Sequence, residues 1–264
     1  MTDSSKRLGY GGAAFIAGTQ VLITGGSFDQ ADAPATLDML DLPSITSGLL
    51  RRGRVLHAPG TSLFTGSLGF DVTKNAIADF ITVDKLLQRN WEFDVEIQDG
   101  ENKYKMTDCL AQSVSLSGSP AGLISVSISF MGIEEKVDGT TAEDYLLNYD
   151  VTPDDQPIAY WWSGADDVRD WTFNYTQGVT PMYGNTTTMD PKYMIGGLVT
   201  YSLQVTTYSE LIHDAVSIAT TSFTLTGVTT EKGYTFNGPT DLGMYSHSFE
   251  TASDTGASDG IIIV

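Results

Sequence analysis

Cysteine is almost missing from this chain: Cys109 is the only one among 264 residues, so no disulfide can form within it. Cys109 sits in an alternating strand pattern, where a buried small hydrophobe is favoured over a reactive thiol. Histidine is scarce as well. His57, His213 and His247 are scattered, with no HxH or HExxH spacing, so no metal cluster is expected. His247 alternates inside a closing strand and reads as structural. No apolar run approaches the ~18 residues of a membrane span. Lys6-Arg7 precedes the stretch from Leu8 to Ile23, but Gly9, Gly11, Gly12, Gly18 and Thr19-Gln20 interrupt it too often for a signal peptide. The expectation is an unprocessed chain made in the cytoplasm, with no membrane insertion.

Positive charge is the other deficit. Fourteen Lys and Arg stand against 33 Asp and Glu, a net charge of −19. Residues 1–136 hold 11 basic and 16 acidic residues (−5), whereas residues 137–264 hold 3 and 17 (−14). Wherever that charge is exposed it repels nucleic acid and anionic membrane surfaces. Stable DNA binding is not expected, although DNA passing nearby without sticking is compatible. The chain is 41% apolar and 10% aromatic, ample for packed cores, and long enough for one large domain or two of about 100–150 residues.

Catalytic constellations are missing too, so no enzyme activity and no cofactor is expected. No GxSxG elbow precedes a helix. Asp154-Asp155 and Asp166-Asp167 lack a DxDxDG loop and read as solvated turn charge. Gly9-Tyr10-Gly11-Gly12 and Gly25-Gly26 lack the context of a phosphate-binding loop and read as turns. Trp161, Trp162 and Trp171 suit core or interface packing, with a sugar-stacking surface as the rival reading.

What is present is a repeated strand pattern. Ser127-Ile128-Ser129-Phe130 recurs as Ser246-His247-Ser248-Phe249, and Val114 to Gly118 is echoed by Tyr234 to Gly238. Gly66 to Val72 is echoed by Gly197 to Leu203. Repeats of this kind point to a duplicated unit working in symmetric company. The strands expected in the first copy are 20–24, 63–73, 91–97, 104–106, 110–116 and 123–130, the first ended by Gly25-Gly26. A long segment from 28 to 60 has few strand signals and reads as a functional loop. A helix is expected over 76–88, with Asn75 as N-cap. The second copy offers strands 158–162, 171–175, 198–208, 216–227, 233–237 and 244–251. A loop is expected over 178–192 and a short helix over 209–215.

The fold class is therefore mainly β: two tandem β-barrel or sandwich domains, each with a flanking helix. The expected parts are an N-terminal arm (1–12), copy one (13–136), a connector (137–156), copy two (157–251) and a tail (252–264). Unusually, the polar strand faces are mostly Ser and Thr, at 113, 115, 117, 125, 127 and 129, and again at 220, 222, 224 and 226. Short hydroxyls suit a face packing against another subunit or a helix, with the high β-propensity of Thr alone as the rival reading. Arg51, Arg52 and Arg54, beside Leu49 and Leu50, stand out in the acidic chain. They read either as a surface loop with incidental charge or as a contact arm toward an acidic surface on a neighbouring copy, since the planar guanidinium suits carboxylates. Ile261, Ile262 and Ile263 end the tail as a sticky edge needing a partner.

This order of strand, long loop, strand, helix, hairpin and closing strands, met twice, resembles the phage tail tube proteins of duplicated tube-domain type. The resemblance covers residues 13 to 251 and rests on element order and strand patterning; the second helix is abbreviated and the second loop lacks arginines. It implies a structural virion protein of the tail, assembled in the host cytoplasm. Three subunits would form a pseudo-hexameric ring, rings would stack into a tube beside other tail proteins, and DNA would pass through without specific binding. Two rivals are a ring protein of the baseplate hub or tail terminator that does not polymerise, and a carbohydrate-binding β-sandwich module.

Overall fold

The computed structural model describes residues 13–39, 54–82, 84–98, 103–119, 122–135, 168–184, 191–208, 215–216, 224–226, 228–235, 243–253 and 261–262. It is mainly β. Six strands close into a barrel: β1 (Ala13–Ile16), β2 (Thr19–Met39), β3 (Arg54–Asp71), β4 (Glu92–Gln98), β5 (Lys103–Gly118) and β6 (Ser125–Glu135). Their order is β5-β4-β1-β2-β3-β6, and β6 pairs with β5 to shut the ring. Closure leaves the barrel strands fewer open edges. Inside lie Leu68, Phe70, Val114, Leu116, Val126, Ile128 and Phe130, the apolar halves of strictly alternating strands.

Several strands run further than their sequence signals suggest. The tight turn Ala17-Gly18, both at positive φ (51° and 82°), joins β1 to β2, and β1 itself lacks a strong strand signature. Gly25-Gly26 does not end β2, because the register shifts between Ile23 and Gly25 and the ladder continues to Met39. The expected loop over 28–60 is thus largely a two-stranded ribbon of β2 and β3; residues 40–53 lie outside the described set. Likewise 104–106 and 110–116 belong to one strand, β5. Shifts at Thr107/Leu110 and Ala111/Ser113 keep its ladders in step.

The helix is shorter than its periodicity predicts. Helix α1 covers only Lys74–Asp79, and its N-cap is Thr73, whose Oγ1 accepts from the Ala76 amide at 3.1 Å. The Phe80 and Ile81 amides both reach the Ala76 carbonyl, and Leu86 N–H bonds back to Phe80. The helix therefore unwinds into turns as β-branched Thr82 follows Ile81. Phe80, Ile81, Leu86 and Leu87 are still buried, although they follow the helix and lie in turns.

Beyond the barrel, the same sheet continues. β7 (Val168–Met182) pairs with the last third of β5, followed in space by β8 (Tyr193–Thr207), β12 (Met244–Ser253) and β11 (Val228–Thr235). β7 runs on through the expected loop to Met182, and β8 starts at Tyr193, five residues before the expected Leu198. A separate small sheet joins β9 (Ala215–Val216), β10 (Thr224–Thr226) and β13 (Ile261–Ile262). Ala215 is therefore strand, at a position expected to end a short helix; 209–214, the connector 137–156 and strand 158–162 lie outside the described residues.

One buried cluster spans both halves: Trp171, Phe173, Tyr175, Tyr201, Leu203 and Val205 pack with the barrel residues and with Phe80 to Leu87. The tyrosines tie this wing down. Tyr201 donates to the Leu87 carbonyl at 2.9 Å and Tyr175 to that of Gln88 at 3.4 Å. The Gly196 amide donates to Asn90 Oδ1 at 2.6 Å, and Arg89 Nε donates back to the Gly196 carbonyl at 3.0 Å.

Two stability predictions follow from this packing. A Cβ on Gly66 would stand 2.5 Å from the Phe130 ring and 2.9 Å from Phe28, so Gly66→Ala overpacks the barrel. It is expected to cost about 1–3 kcal/mol in denaturant titration; an unchanged midpoint would refute the close approach. Burial also pushes the Tyr201 phenol up to about 12, and that of Tyr175 still higher. Both hold their protons more tightly when folded, so this stability is fully present below about pH 10 and lost as pH rises toward 12. Alkaline melting curves should show that loss, and Tyr201→Phe should lessen it while costing about 1 kcal/mol at neutral pH.

Candidate functional site: a hydroxyl-lined sheet face

The outer face of the barrel strands is built from the other half of each alternation. Because antiparallel pairing sets residues directly opposite one another, equal parity on successive strands yields continuous rows. One row runs Ser27, Ser67, Ser129, Ser113, Thr176, Thr200 and Ala252, crossing β2, β3, β6, β5, β7, β8 and β12. The next runs Gly25, Gly69, Ser127, Ser115, Asn174, Ser202, Glu250 and Val228. A third runs Asp71, Ser125, Ser117, Thr172, Gln204, Ser248 and Glu231. The face passes from barrel to wing without a break at the β5–β7 junction.

Its hydroxyls bond to one another across strands. Ser113 and Ser129 lie 2.7 Å apart, Ser117 and Ser125 3.0 Å, Ser27 and Ser67 3.1 Å, and Thr176 and Thr200 2.5 Å. Such pairs add to sheet stability without long side chains. Ser125, Ser127 and Thr176 are exposed and the remaining paired serines are half-buried or exposed, so the face is open in the single chain. The charged positions in these rows are Asp71, Glu231 and Glu250, all acidic. Asp29 stands beside the first row and accepts from Ser27 at 3.1 Å.

Sequence-predicted contact residues fall elsewhere. Arg54 opens β3 opposite Met39, about 30 Å along the ribbon from Phe64, where β3 last meets β6. Arg51, Arg52, Leu49, Leu50 and Ile263 lie outside the described residues. Ile261 and Ile262 pair with Leu225 and Thr224, so this part of the tail has a partner strand within the chain. Thr224 and Thr226 sit in that small sheet and not on the hydroxyl face; 220 and 222 lie outside the described residues. What sequence reasoning missed was the register that merges the serines into one surface.

The described residues offer little for chemistry. No group of three or more His, Cys, Asp or Glu among them is placed to hold a metal ion. Cys109 is buried, and desolvation with Asp94 and Asp108 nearby pushes its thiol well up, toward the neutral form. His247 is buried between its strand neighbours, stacked on Tyr245. Trp171 is only 4% exposed and covers Gly118, which removes it from any sugar-stacking surface; Trp161 and Trp162 lie outside the described residues. No helix among the described residues is long and apolar enough to cross a membrane. No protein-family model and no curated protein matches this chain.

Proposed function

We propose that this protein is the subunit of a phage tail tube, a structural conduit for genome delivery in which no bond is made or broken. The observation that carries the reading is the hydroxyl face: three cross-strand rows whose charged positions are all acidic. Facing a lumen, it would repel the DNA backbone and offer no lysine or arginine to hold it. Serine and threonine keep such a wall smooth and uncharged between the acids.

Strand order supports the tandem-domain reading. The face is built from β2-β3-β6-β5 and then β7-β8-β12-β11. The segments that echo each other in sequence take the same place in each set: 66–72 and 197–203 in the second strands, 127–130 and 246–249 in the third. Val114 to Gly118 and the start of its echo, Tyr234-Thr235, lie in the fourth. Two domains per chain imply three chains in a pseudo-hexameric ring. The β2–β3 ribbon, with Arg54 on it and Arg51 and Arg52 before it in sequence, suits an arm that reaches the next ring. The burial of Trp171 weakens the carbohydrate-binding alternative.

The purified protein is expected to assemble into hollow tubes, seen by negative-stain electron microscopy. Rings that never lengthen would instead mark a hub or terminator, and particles that stay monomeric at high concentration across ionic strengths would overturn the proposal. Replacing Arg51, Arg52 and Arg54 together with Glu should abolish stacking and leave single rings; tubes of normal length would remove the arm from the mechanism.

A further inference from the structure

The barrel is self-sufficient and the wing is not. All six barrel strands lie between Ala13 and Glu135, and β6 closes the ring against β5 without help from later residues. The wing strands β7, β8, β12 and β11 form an open run. Among the described residues its one ladder to the barrel is the six-pair join of β7 to β5. Its buried face, with Phe173, Tyr201, Leu203 and Val205, packs in the cluster that holds Phe80, Ile81, Leu86 and Leu87. The hydrogen bonds that pin it also end on the first half. Tyr201 and Tyr175 donate to the carbonyls of Leu87 and Gln88, Gln177 to that of Ala111, and Tyr183 to that of Ser62.

We infer that the wing is a separately opening unit: it detaches while the barrel stays closed, and it does not form without the barrel. Proteins commonly open in cooperative pieces of this kind, each with its own free energy. Here the two pieces are unequal. Detaching the wing leaves every barrel strand with its barrel partners, since β5 keeps β4 and β6. Losing the barrel removes the partner strand, the carbonyls and the apolar cover from the wing together.

The chain between the two pieces is long enough for this. β6 ends with Glu135 opposite Lys105, and β7 meets β5 with Trp171 opposite Gly118. Those two levels are about 40 Å apart along β5. Residues 136–167 extend to about 100 Å, so the wing can leave without pulling on β6. While attached, it covers the β5 edge from Ser113 to Gly118, a stretch that would otherwise invite another strand.

Two variants of the full chain test the asymmetry by amide hydrogen exchange. Leu203 and Ile128 are both buried, one in the wing and one in the barrel. Leu203→Asp should abolish protection in 171–176 and 199–205 and leave it in β3, β4 and β6. Ile128→Asp should abolish protection in both halves. The unsubstituted protein, held in denaturant below its main transition, supplies a readout independent of either variant. Wing amides should exchange there through an opening that leaves the barrel protected. Within 113–118 only alternate amides, those directed at β7, should follow the wing. One opening shared by both halves would overturn the inference. So would a barrel lost in Leu203→Asp, or a wing still protected in Ile128→Asp.

Discussion

The whole structure depends on β5 serving two partners along one edge. Its first half, Lys103 to Leu110, takes β4, and its last third, Ser113 to Gly118, takes β7, while the other edge holds β6. A strand of ordinary length could close the barrel or extend the sheet; this one does both. The handover lies at the bulges, where Asp108 adopts a left-handed backbone (φ 51°), a conformation tolerated best by Asp, Asn and Gly. Gln177, buried on β7, donates to the Ala111 carbonyl beside this bulge at 2.9 Å, so the wing hydrogen-bonds to the β5 backbone at the handover.

Once β7 is anchored, the wing has an underside to bury, and the turns after α1 provide the surface. Phe80 to Leu87 pack against the barrel and under Tyr175 and Tyr201, and those phenols donate to the carbonyls of Leu87 and Gln88. Both carbonyls fall in the last turn of the expected helix, where no intrahelical donor would reach them, so the wing supplies the partner. At the far end of the hairpin, Met194 and Val179 pack over Leu110, Met131 and Leu63 in a small second cluster. The wing is thus fixed at the junction and at the far end of the hairpin.

Much of the barrel was legible because alternation is a strong signal. The segments expected as strands at 63–73 and 91–97 fall largely in β3 and β4. The failures have physical causes. Gly25-Gly26 looked like a stop, yet a bulge let the strand pass through it. The apolar stripe of 76–88 was read as helix, but the same side chains are buried in turns whose carbonyls are capped from β7 and β8. β1 is four residues paired with β2 and β4, with Ala14 and Ile16 fully buried, yet Ala13-Ala14-Phe15-Ile16 is too short to show a distinguishing pattern. The serine-rich faces were visible as composition, whereas their union into one surface is a matter of register, which no local pattern encodes. The arginine cluster was visible too, though only Arg54 falls on a described strand.

The chemistry of that surface follows from what an exposed sheet face can carry. Lys, Arg and Glu would lose rotamer freedom wherever they were confined against a guest chain, whereas Ser and Thr have little to lose and bond to each other across strands. Their mutual pairing leaves few hydroxyls seeking a ligand, and the acids in the same rows repel phosphate. A face so composed is suited to being passed over. A β-sheet with this surface also keeps every charged group off its β5–β7 junction, where Ser113, Ser115 and Ser117 meet Thr176, Asn174 and Thr172. Repulsion is therefore spread along the sheet and absent from the seam, which allows an acidic surface to coexist with strand pairing at close range.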